Sequence, residues 1–556
     1  MQCVRTIVLS LAFALAASVQ GATYTISSTY DESTGQWVGN VVQLTNVLST
    51  IGTWQTVKLS KGVYDISMMT NAPMAGNATY GKNLLHLTTG TTFVGATGNR
   101  DDVVIKGPGR YRLLSHANGC TIKHITFVGG RAQDATVNAG GAIRATGSAI
   151  DITNCAFLFN SAVHGGAAGQ EANAASITSG DRYHDCYFYG NSTYGAGYGG
   201  AACGGSYYNC QFVSNACNYA YGLGGGVAHA KVVSGCQVIS NFCVYSGGGL
   251  AACAGVTNCT VSFNAAVGPN NARGGGLYNC GVITNCIVEC NRASGWGHGM
   301  SDTGAVGTEM RFNGYSKDVK SCGFERCDFL CSFVTGASCL DSCRVHHASN
   351  SFRVADNVYY GPSKGGMTYV FTNLQRIRNT LIDHCWITNT ANHAAFCNSD
   401  AQGLYAENCT IADNTFFYTL RGYSSNAAPA AFVNTVFARN KKGSAKNDLT
   451  GYSSSYVTLT NCVLGVNSIS QAAGLENCDT LVKGANWKPR FADEGEFPYE
   501  PKFNSALRGA GRLLDWMDEA SLDLSGRGRT RDGKVDVGAY QCWMEPQYIG
   551  LIISVK

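Results

Sequence analysis

The chain has 556 residues, of which 14% are charged, and its formal net charge is +4. The net charge is small and the sequence contains no block of basic residues, which argues against a nucleic-acid-binding protein. Glycine (69) and cysteine (25) are abundant, proline (9) is scarce, and small and β-branched residues dominate, so strands and tight turns are favoured over helices.

Residues 1–21 are predicted to be a secretory signal peptide. Arg5 provides a positive charge, "TIVLSLAFALAASV" is an apolar segment, and small residues lead to a cleavage site near Gly21. A membrane anchor is the alternative, but the apolar run is short for a span, and no later stretch is long and apolar enough. We therefore expect no transmembrane segment, and a protein that is secreted, extracellular or held at the outer cell surface.

Residues 22–110 are predicted to form the entry coils that cap the N-terminal end of a repeat fold. In this region "YDIS" (64–67) reads as a strand and "GPG" (107–109) as a turn. Residues 111–480 are predicted to be the repeat itself.

The repeat is marked by cysteines that recur at intervals of 31, 24, 26, 23 and 27 residues. A period in the mid-twenties with short strands and glycine turns is the length of one coil of a parallel β-helix. We therefore predict an all-β fold, a single-stranded right-handed parallel β-helix with N- and C-terminal caps; its hand follows from the usual chirality of parallel crossovers. The cysteines that define the period are Cys155, Cys186, Cys210, Cys236, Cys259 and Cys286, followed further on by Cys385, Cys409 and Cys462.

Side-chain alternation predicts which residues fill the coils. In the "CxF" and "CxV" patterns the cysteine and the apolar residue two positions later share a face, which we assign to the interior. Asparagines fall at two turns of each coil, where they tolerate unusual backbone angles and bond to neighbouring backbone. The predicted interior columns contain Phe157, Phe188, Phe212, Val238, Val261 and Ile411.

Zinc binding and disulfide formation are the two alternative explanations for the recurring cysteines. Zinc is disfavoured because no second CxxC or histidine pair accompanies any of them. Disulfides between stacked cysteines are disfavoured because parallel Cβ vectors do not converge, although a few bridges in loops stay open. We expect mostly free thiols, which pack as small hydrophobic groups.

The cysteine spacing becomes irregular in the middle of the repeat. The gaps that follow Cys286 and Cys343 are much longer than one coil, whereas Cys327 and Cys343 are closer together than one coil, so we expect one of the last two to be out of register. Two inserts are predicted, near 292–320 and 344–380. Long excursions of this kind often carry function in solenoids.

Short motifs carry two resemblances. "GGAI" (140–143) followed by "FLFN", "FYGN" and "FVSN" resembles the repeats of polymorphic outer-membrane proteins, bacterial surface β-helices implicated in adhesion. More broadly, the chain resembles secreted right-handed β-helix proteins, a shape shared by pectate lyases. Residues 481–556 are predicted to be a C-terminal capping module, and "DVGAY" (536–540) within them resembles a motif that ends bacterial β-helix proteins.

A run of acidic residues supplies the candidate site. The residue two positions before the anchor cysteine is neutral in the early coils and becomes Glu325, Asp341, Asp383 and Glu407 in the later ones. Stacked like charges raise each other's pKa or require a cation, so one hypothesis is a Ca²⁺ ion held by Glu325, Asp341 and Asp383. Ordinary solvated turn residues are the alternative.

Two catalytic hypotheses follow. A carboxylate pair, for which Asp383 and Glu407 are the candidates, could act on a glycosidic bond. Alternatively, the resemblance to pectate lyases implies a basic residue that removes the proton beside a uronate carboxylate. The candidates for that base are Arg344 and His384, with His346 also near in sequence.

The sequence thus predicts a secreted or cell-surface protein whose partner is a polysaccharide or surface glycan. As an enzyme it would be a polysaccharide lyase or glycoside hydrolase acting on acidic glycans. The alternative is a non-catalytic adhesin, glycan-binding or structural protein. The shape is better supported by the sequence than either chemistry.

Overall fold

The computed structural model describes 21–69, 83–132, 138–144, 149–170, 180–269, 272–295, 297–314, 323–332, 334–335, 339–346, 369–372, 374–387, 394–397, 403–423, 429–442, 444–451, 456–464, 471–473, 490–494 and 497–543. The predicted signal peptide, apart from Gly21, lies outside these residues. None of the helices in these ranges has the length and hydropathy of a membrane span. The chain divides into two compact units, residues 1–237 and 238–556.

Both units consist of short strands that pair in parallel with the equivalent strands one coil away, so the predicted parallel β-helix fold is confirmed as a parallel β-solenoid. Between Asp151 and Ser301 each coil passes through four parallel sheets, called A, B, D and C in that order. A residue with left-handed backbone angles separates sheet A from sheet B in most coils, and a second one follows sheet B.

The described residues of the first unit form four sheets, one helix and one 3₁₀-helix. Sheet A contains Thr23–Ile26, Thr56–Leu59, Thr92–Gly95, Thr121–Lys123, Asp151–Thr153, Arg182–His184, Ser206–Tyr208 and Val232–Ser234. Sheet B contains Ser28–Asp31, Gln36–Gly39, Gly62–Asp65, Val103–Lys106, Thr126–Val128, Ala156–Leu158, Tyr187–Tyr189 and Gln211–Val213. Sheet C contains Asn83–Leu87, Arg112–His116, Ile143–Arg144, Ala168–Gly169, Ala202–Cys203 and Val227–Ala228. Sheet D contains Ser161–Ala162, Ser192–Thr193 and Ala216–Cys217. The 3₁₀-helix is Arg100–Asp102, and a further strand, Gln237–Ile239, includes the boundary residue.

The helix of the first unit, α1 (Val41–Thr50), lies among the entry coils. Asn40 caps it by accepting a hydrogen bond from the backbone N–H of Gln43 at 2.9 Å, which satisfies one of the amide groups left free at a helix start. Its apolar face buries Leu44 and Leu48.

The second unit repeats the same arrangement and adds two small sheets. Sheet A contains Val256–Thr257, Val282–Thr284, Gly304–Val306, Gly323–Glu325, Cys339–Asp341, Arg376–Arg378, Leu404–Glu407, Ala430–Val433, Tyr456–Thr460 and Gln471–Ala473. Sheet B contains Thr260–Ser262, Ile287–Glu289, Glu309–Gly314, Asp328–Ser332, Arg344–His346, Leu381–Asp383, Thr410–Ala412, Val436–Ala438 and Val463–Leu464. Sheet C contains Leu250–Ala251, Leu277–Tyr278 and Met300–Ser301, and sheet D contains Phe242–Cys243, Ala265–Ala266 and Arg292–Ala293. Sheet E contains Val334–Thr335, Tyr369–Thr372, Ala394–Cys397 and Tyr418–Arg421. Sheet F contains Trp386–Ile387, Thr415–Phe416, Lys441–Lys442 and Ala445–Lys446.

The predicted interior columns are confirmed. In the first unit the rings of Phe157 and Phe188, and of Phe188 and Phe212, stack with centroids 4.7 Å apart. In the second unit Val238, Val261 and Ile411 are likewise fully buried. Parallel register places each of these side chains on its equivalent in the next coil, which is why the column stays apolar.

Two turn positions explain the asparagines. Those before the anchor cysteines, such as Asn154 and Asn209, have φ of 48° and 52°, a left-handed conformation that Asn tolerates. Those after sheet B are fully buried and form a ladder: Asn160 N donates to Oδ1 of Asn191, and Asn191 N to Oδ1 of Asn215, both at 2.9 Å. The second set thus satisfies buried backbone groups.

The anchor cysteines lie in the interior as free thiols. The Cys155 Sγ donates to the carbonyl of Thr153 at 3.4 Å, and burial raises the pKa of this thiol to about 12. Among the cysteines whose side chains the structure describes, none forms a disulfide. Their chemistry is that of small buried groups.

The register in the middle of the repeat differs from the prediction. Cys327 and Cys343 are both in register, since Glu325 pairs with Asp341 and the N–H of Arg344 donates to the carbonyl of Cys327 at 3.0 Å. The expectation that one of them is out of register was therefore wrong. The coil is short because its strand in sheet B ends at Ser332 and the next strand of sheet A already begins at Cys339.

Cys385 is the cysteine that is out of register. Its N–H donates to Oδ1 of Asn414 at 2.9 Å, so it occupies the position of a buried ladder asparagine. The anchor position of that coil holds Thr380, whose Oγ1 donates to the carbonyl of Arg378 at 2.8 Å. Consequently Asp383, two residues before Cys385, belongs to sheet B and not to the predicted acidic column in sheet A.

The two predicted inserts also look different. Residues 292–314 form ordinary strands of sheets D, C, A and B, and Thr308 occupies the anchor position because the N–H of Cys286 donates to its Oγ1 at 3.3 Å. The remainder of the first insert, 315–320, lies outside the described residues. So does most of the second, 347–368.

The C-terminal residues pack on the outer face of sheet B in the second unit. Leu381, Ala412 and Val436 of that face contact a cluster that includes Tyr499, Leu507, Val537, Ala539 and Tyr540. The N–H of Gly538 donates to the carbonyl of Asn434 at 2.9 Å, and that of Ala539 to Oγ1 of Thr410 at 3.0 Å. The "DVGAY" stretch therefore fastens this segment to the side of the coils, while a cap over the end of the solenoid stays a prediction.

Candidate functional site

A cleft of about 580 Å³ opens in the second unit where sheet A turns into sheet B. One wall is formed by the strands Gly323–Glu325, Cys339–Asp341 and Arg376–Arg378 with the turns that follow them, and the other by the C-terminal segment from Trp516 to Gly526. Its lining combines acidic, basic and aromatic side chains. The charged and aromatic ones are Glu325, Arg326, Asp328, Asp341, Arg344, Arg378, Phe497, Trp516, Asp523 and Tyr540.

The turn geometry brings these side chains to one edge. Arg326, Ser342 and Asn379 all have left-handed backbone angles, with φ of 50°, 52° and 48°, and each ends a strand of sheet A. Because successive coils are in register, residues at this turn lie one above another. The edge is therefore a column of side chains rather than a loop.

The predicted acidic column contains an arginine. Glu325 pairs with Asp341, Asp341 with Arg378, and Arg378 with Glu407, so three of the four predicted carboxylates share a column and Asp383 does not. Arg378 donates to Asp341 from both Nε, at 2.8 Å, and Nη2. The guanidinium separates Asp341 from Glu407, whereas Glu325 and Asp341 remain neighbours in adjacent coils.

The other carboxylates of this column are also paired. Glu407 is buried and accepts hydrogen bonds from Nε and Nη2 of Arg376 at 3.2 and 2.6 Å. Glu325 is exposed and forms an ion pair with Arg326 at 3.0 Å. Each carboxylate thus has its own guanidinium partner, an arrangement that lowers the need for a cation.

The predicted calcium ligands do not come together. Glu325 and Asp341 lie in sheet A, whereas Asp383 lies in sheet B, because Cys385 does not occupy the anchor position. In the described part of the chain no group of three or more His, Cys, Asp or Glu side chains is placed to hold a metal ion. The residues present therefore do not fit the calcium hypothesis.

Asp383 is fully buried and linked to two basic groups. Its Oδ2 lies 2.9 Å from Nδ1 of His384 and 3.4 Å from Nη2 of Arg344. Burial raises the pKa of Asp383, but the hydrogen bond from His384 and the charge of Arg344 outweigh it, so the net pKa is below the ordinary value. A buried, ionised carboxylate cannot protonate or attack a sugar in the cleft.

Of the predicted catalytic residues, only Arg344 reaches the cleft. Its side chain is 35% exposed and lines the cleft, whereas Asp383, Glu407 and His384 are not among the lining residues. Burial lowers the pKa of Arg344, but the neighbouring Asp383 more than compensates and raises it above the ordinary value. Arg344 is therefore a permanent cation suited to hydrogen bonding rather than to proton abstraction.

His346 forms a hydrogen-bonded pair with Asp328 beside the cleft. Its Nε2 lies 2.6 Å from Oδ1 of Asp328, which lines the cleft. The carboxylate is half-exposed while the imidazole is mostly buried. Asp328 is thus held in place from behind by the histidine.

Sequence reasoning missed the residues on the C-terminal wall. The indole of Trp516 lies against the guanidinium of Arg378, with Cζ 4.5 Å from the ring centroid. Asn379 donates from Nδ2 to the carbonyl of Leu522 at 3.1 Å. These contacts join positions far apart in the chain, and the only local signal was a tryptophan in the charged stretch "LLDWMDEA".

Three buried polar atoms of cleft-lining residues have no hydrogen-bond partner among the described residues: Arg344 Nε, Asn379 Oδ1 and Trp516 Nε1. Two are donors and one is an acceptor. Buried polar atoms in folded proteins are normally paired, but these three are closed to solvent and therefore lie behind the surface that a ligand in the cleft would contact.

No protein-family model and no curated protein matches the sequence. Among solved structures, the chain is similar to a PL6 alginate lyase in complex with a trisaccharide, with 10% identity, 82% of this chain and 89% of that chain covered, and a TM-score of 0.26. It is also similar to the pectate lyase Pel9A, with 12% identity, 95% and 98% coverage, and a TM-score of 0.23.

A third similar structure is the catalytic domain of a GH87 alpha-1,3-glucanase in complex with tetrasaccharides, with 12% identity, 85% and 68% coverage, and a TM-score of 0.22. Identities and scores this low do not allow activity or site residues to be carried over. The functional conclusion therefore depends on the cleft itself.

Proposed function

We propose that the protein binds a polysaccharide and that one or two sugar units occupy the cleft beside Arg344 and Trp516. The observation that carries the proposal is a cleft lined both by aromatic rings, those of Phe497, Trp516 and Tyr540, and by the partly exposed side chain of Arg344. The volume, about 580 Å³, is within the ordinary range for small-molecule sites. Aromatic faces contact the apolar faces of sugars, and the N–H groups of Arg344 would bond to hydroxyl groups.

Arg344 gives the cleft a cationic group that can bind a sugar carboxylate, although Glu325, Asp328, Asp341 and Asp523 also line it. The guanidinium of Arg344 faces the cleft, while its counter-ion Asp383 is fully buried behind it. Guanidinium groups bind carboxylates strongly because several N–H donors can be used together. This supports the preference for acidic glycans that the sequence suggested.

Binding is better supported than catalysis. This preference is supported by the burial and ion pairing of Asp383 and Glu407, by the raised pKa of Arg344, and by the position of His384 outside the cleft lining. A non-catalytic glycan-binding protein is therefore the function we propose. The N-terminal apolar segment supports a location outside the cytoplasm or at the cell surface, which the mass of the mature chain would test.

The test is binding of the full-length protein to polygalacturonate, alginate and a neutral β-glucan, measured by affinity electrophoresis and calorimetry. We expect Trp516→Ala to weaken binding about tenfold, a typical effect of losing an aromatic contact at the centre of a site. The matched control is Trp386→Ala, which removes a tryptophan of the same unit that is 57% exposed and does not line the cleft.

Two outcomes would contradict the proposal. One is equal affinity of wild type and Trp516→Ala for every polysaccharide. The other is formation of unsaturated or reducing-end product by the wild type, which would establish a lyase or a hydrolase instead.

A further inference from the structure

Two exposed side chains continue the face of sheet A that forms one wall of the cleft. Arg376 lies two positions before the cleft-lining Arg378 on the same strand, so strand alternation puts both side chains on the outer face of the sheet. Tyr405 pairs with Arg376 in the next coil, and its side chain is 40% exposed. Arg376, Arg378 and Tyr405 therefore belong to one continuous surface of the second unit.

The C-terminal segment borders this surface just as it borders the cleft. Trp516 lies against Arg378, one coil before Tyr405. Earlier in the same segment, the N–H of Arg512 donates to Oδ1 of Asn434 at 2.8 Å, and Nδ2 of Asn434 donates to the carbonyl of Arg512 at 2.7 Å. Asn434 ends the strand of sheet A one coil beyond Tyr405. Between these two contacts the segment passes the coil that carries Tyr405.

The phenol of Tyr405 lies among charged groups from both borders. Burial and the charge of Glu407 raise its pKa, whereas Arg376 and Arg512 act in the opposite direction. Arg376 is half-exposed and is held by Glu407, to which its Nη2 donates at 2.6 Å. The Tyr405 hydroxyl therefore keeps its proton at neutral pH, and guanidinium groups with several N–H donors stand beside the ring.

We propose that Tyr405 is the platform of a further sugar subsite, which takes the next unit of the polysaccharide chain held in the cleft. The inference rests on the proposed function, since the cleft has to hold the first units. Two residues along a strand and one strand spacing put the Cα atoms of Arg378 and Tyr405 about 8 Å apart, a distance that neighbouring sugar units span. The ring offers an apolar face to the sugar, and Arg376 and Arg512 offer donors to its hydroxyl or carboxylate oxygens.

Continuity with the cleft identifies the occupant. A cleft of about 580 Å³ holds only one or two sugar units, so a longer chain has to leave it. The outer face of Arg376 and Tyr405 begins where Arg378 lines the cleft, and the same C-terminal segment flanks both. The subsite therefore predicts that affinity increases with the length of the glycan.

The test compares digalacturonate with hexagalacturonate, each titrated into the full-length protein by calorimetry. We expect the wild type to bind the hexamer more tightly. Tyr405→Ala should weaken hexamer binding about threefold to tenfold and leave dimer binding unchanged, because the dimer fits within the cleft. Tyr405→Phe keeps the ring and should retain hexamer affinity. Phe503→Ala is the matched control, since Phe503 is 39% exposed in the same unit and does not line the cleft.

The results separate the subsite from the cleft. Unchanged hexamer binding by Tyr405→Ala, together with dimer binding that falls in Trp516→Ala, would overturn the subsite alone. Equal losses for dimer and hexamer in Tyr405→Ala would also overturn it, as would a Tyr405→Phe variant as weak as Tyr405→Ala. If the wild type bound neither oligosaccharide, both proposals would be overturned.

Discussion

The carboxylate of Asp383, which is fully buried, lies 2.9 Å from Nδ1 of His384, which is half-exposed. This hydrogen bond raises the pKa of His384 above its ordinary value of 6.5. The protonated imidazole therefore stabilises the folded chain below that pH, and the contribution is lost as pH rises through the raised pKa.

The corresponding prediction compares wild type with His384→Gln. We expect the difference in free energy of unfolding between them to decrease from about pH 6 to about pH 8, by less than about 1 kcal/mol because the ring is half-exposed. Urea unfolding at several pH values measures this. His116 and His298, whose pKa burial lowers to about 4, act in the opposite direction but equally in both proteins. A difference that does not change with pH would refute the linkage.

A second prediction concerns Gly538, at the contact between the C-terminal segment and the coils. Its φ is +108°, and a Cβ there would lie 2.8 Å from Oγ1 of Thr410. We expect Gly538→Ala to lower the free energy of unfolding by about 2 to 3 kcal/mol, since it adds a clash to backbone strain.

Gly533→Ala is the control for that experiment. Gly533 also has a positive φ, of 69°, but a Cβ there would meet nothing within 4 Å. The backbone strain alone should cost about 1 kcal/mol. Equal losses in the two variants, measured by urea unfolding, would mean that the contact with Thr410 contributes nothing.

A third prediction concerns the buried asparagine ladder. Asn191 accepts from the N–H of Asn160 at 2.9 Å and donates from Nδ2 to the carbonyl of Phe157 at 2.8 Å. Replacing it with alanine would remove both hydrogen bonds and take away the side-chain acceptor of the buried Asn160 N–H. We therefore expect Asn191→Ala to cost about 3 kcal/mol in guanidinium unfolding.

Asn154→Gly provides the comparison for the ladder. It removes an amide at the turn before Cys155, where φ is 48°, and glycine suits that backbone. A change of less than about 1 kcal/mol is expected there. If Asn191→Ala proved equally mild, the ladder would not be a major source of stability.

Local pattern was sufficient to predict the coil and its interior. Alternation placed Phe157, Phe188 and Phe212 inward, and the asparagines marked the turns, because each of these features depends on neighbours close in sequence. The same rule failed at Cys385, since spacing alone does not distinguish an anchor cysteine from one that replaces a ladder asparagine.

The position of Cys385, which places Asp383 in sheet B, changed the candidate site. With Asp383 removed from sheet A and Arg378 in its place, the expected group of carboxylates became a set of ion pairs. The cleft itself requires the contact between Asn379 and Leu522, which are 143 positions apart. No periodicity in the sequence reports a contact of that range.

The anchor position accepts either sulfur or oxygen. Cys343 donates from Sγ to the carbonyl of Asp341 at 3.3 Å, and Thr435 donates from Oγ1 to that of Val433 at 3.1 Å, across the same two-residue separation. The anchor position therefore requires a small side chain that can donate one hydrogen bond. The thiols at this position are thus a consequence of how the chain winds, and Cys155, Cys286 and Cys343, all buried, offer little surface to an oxidant.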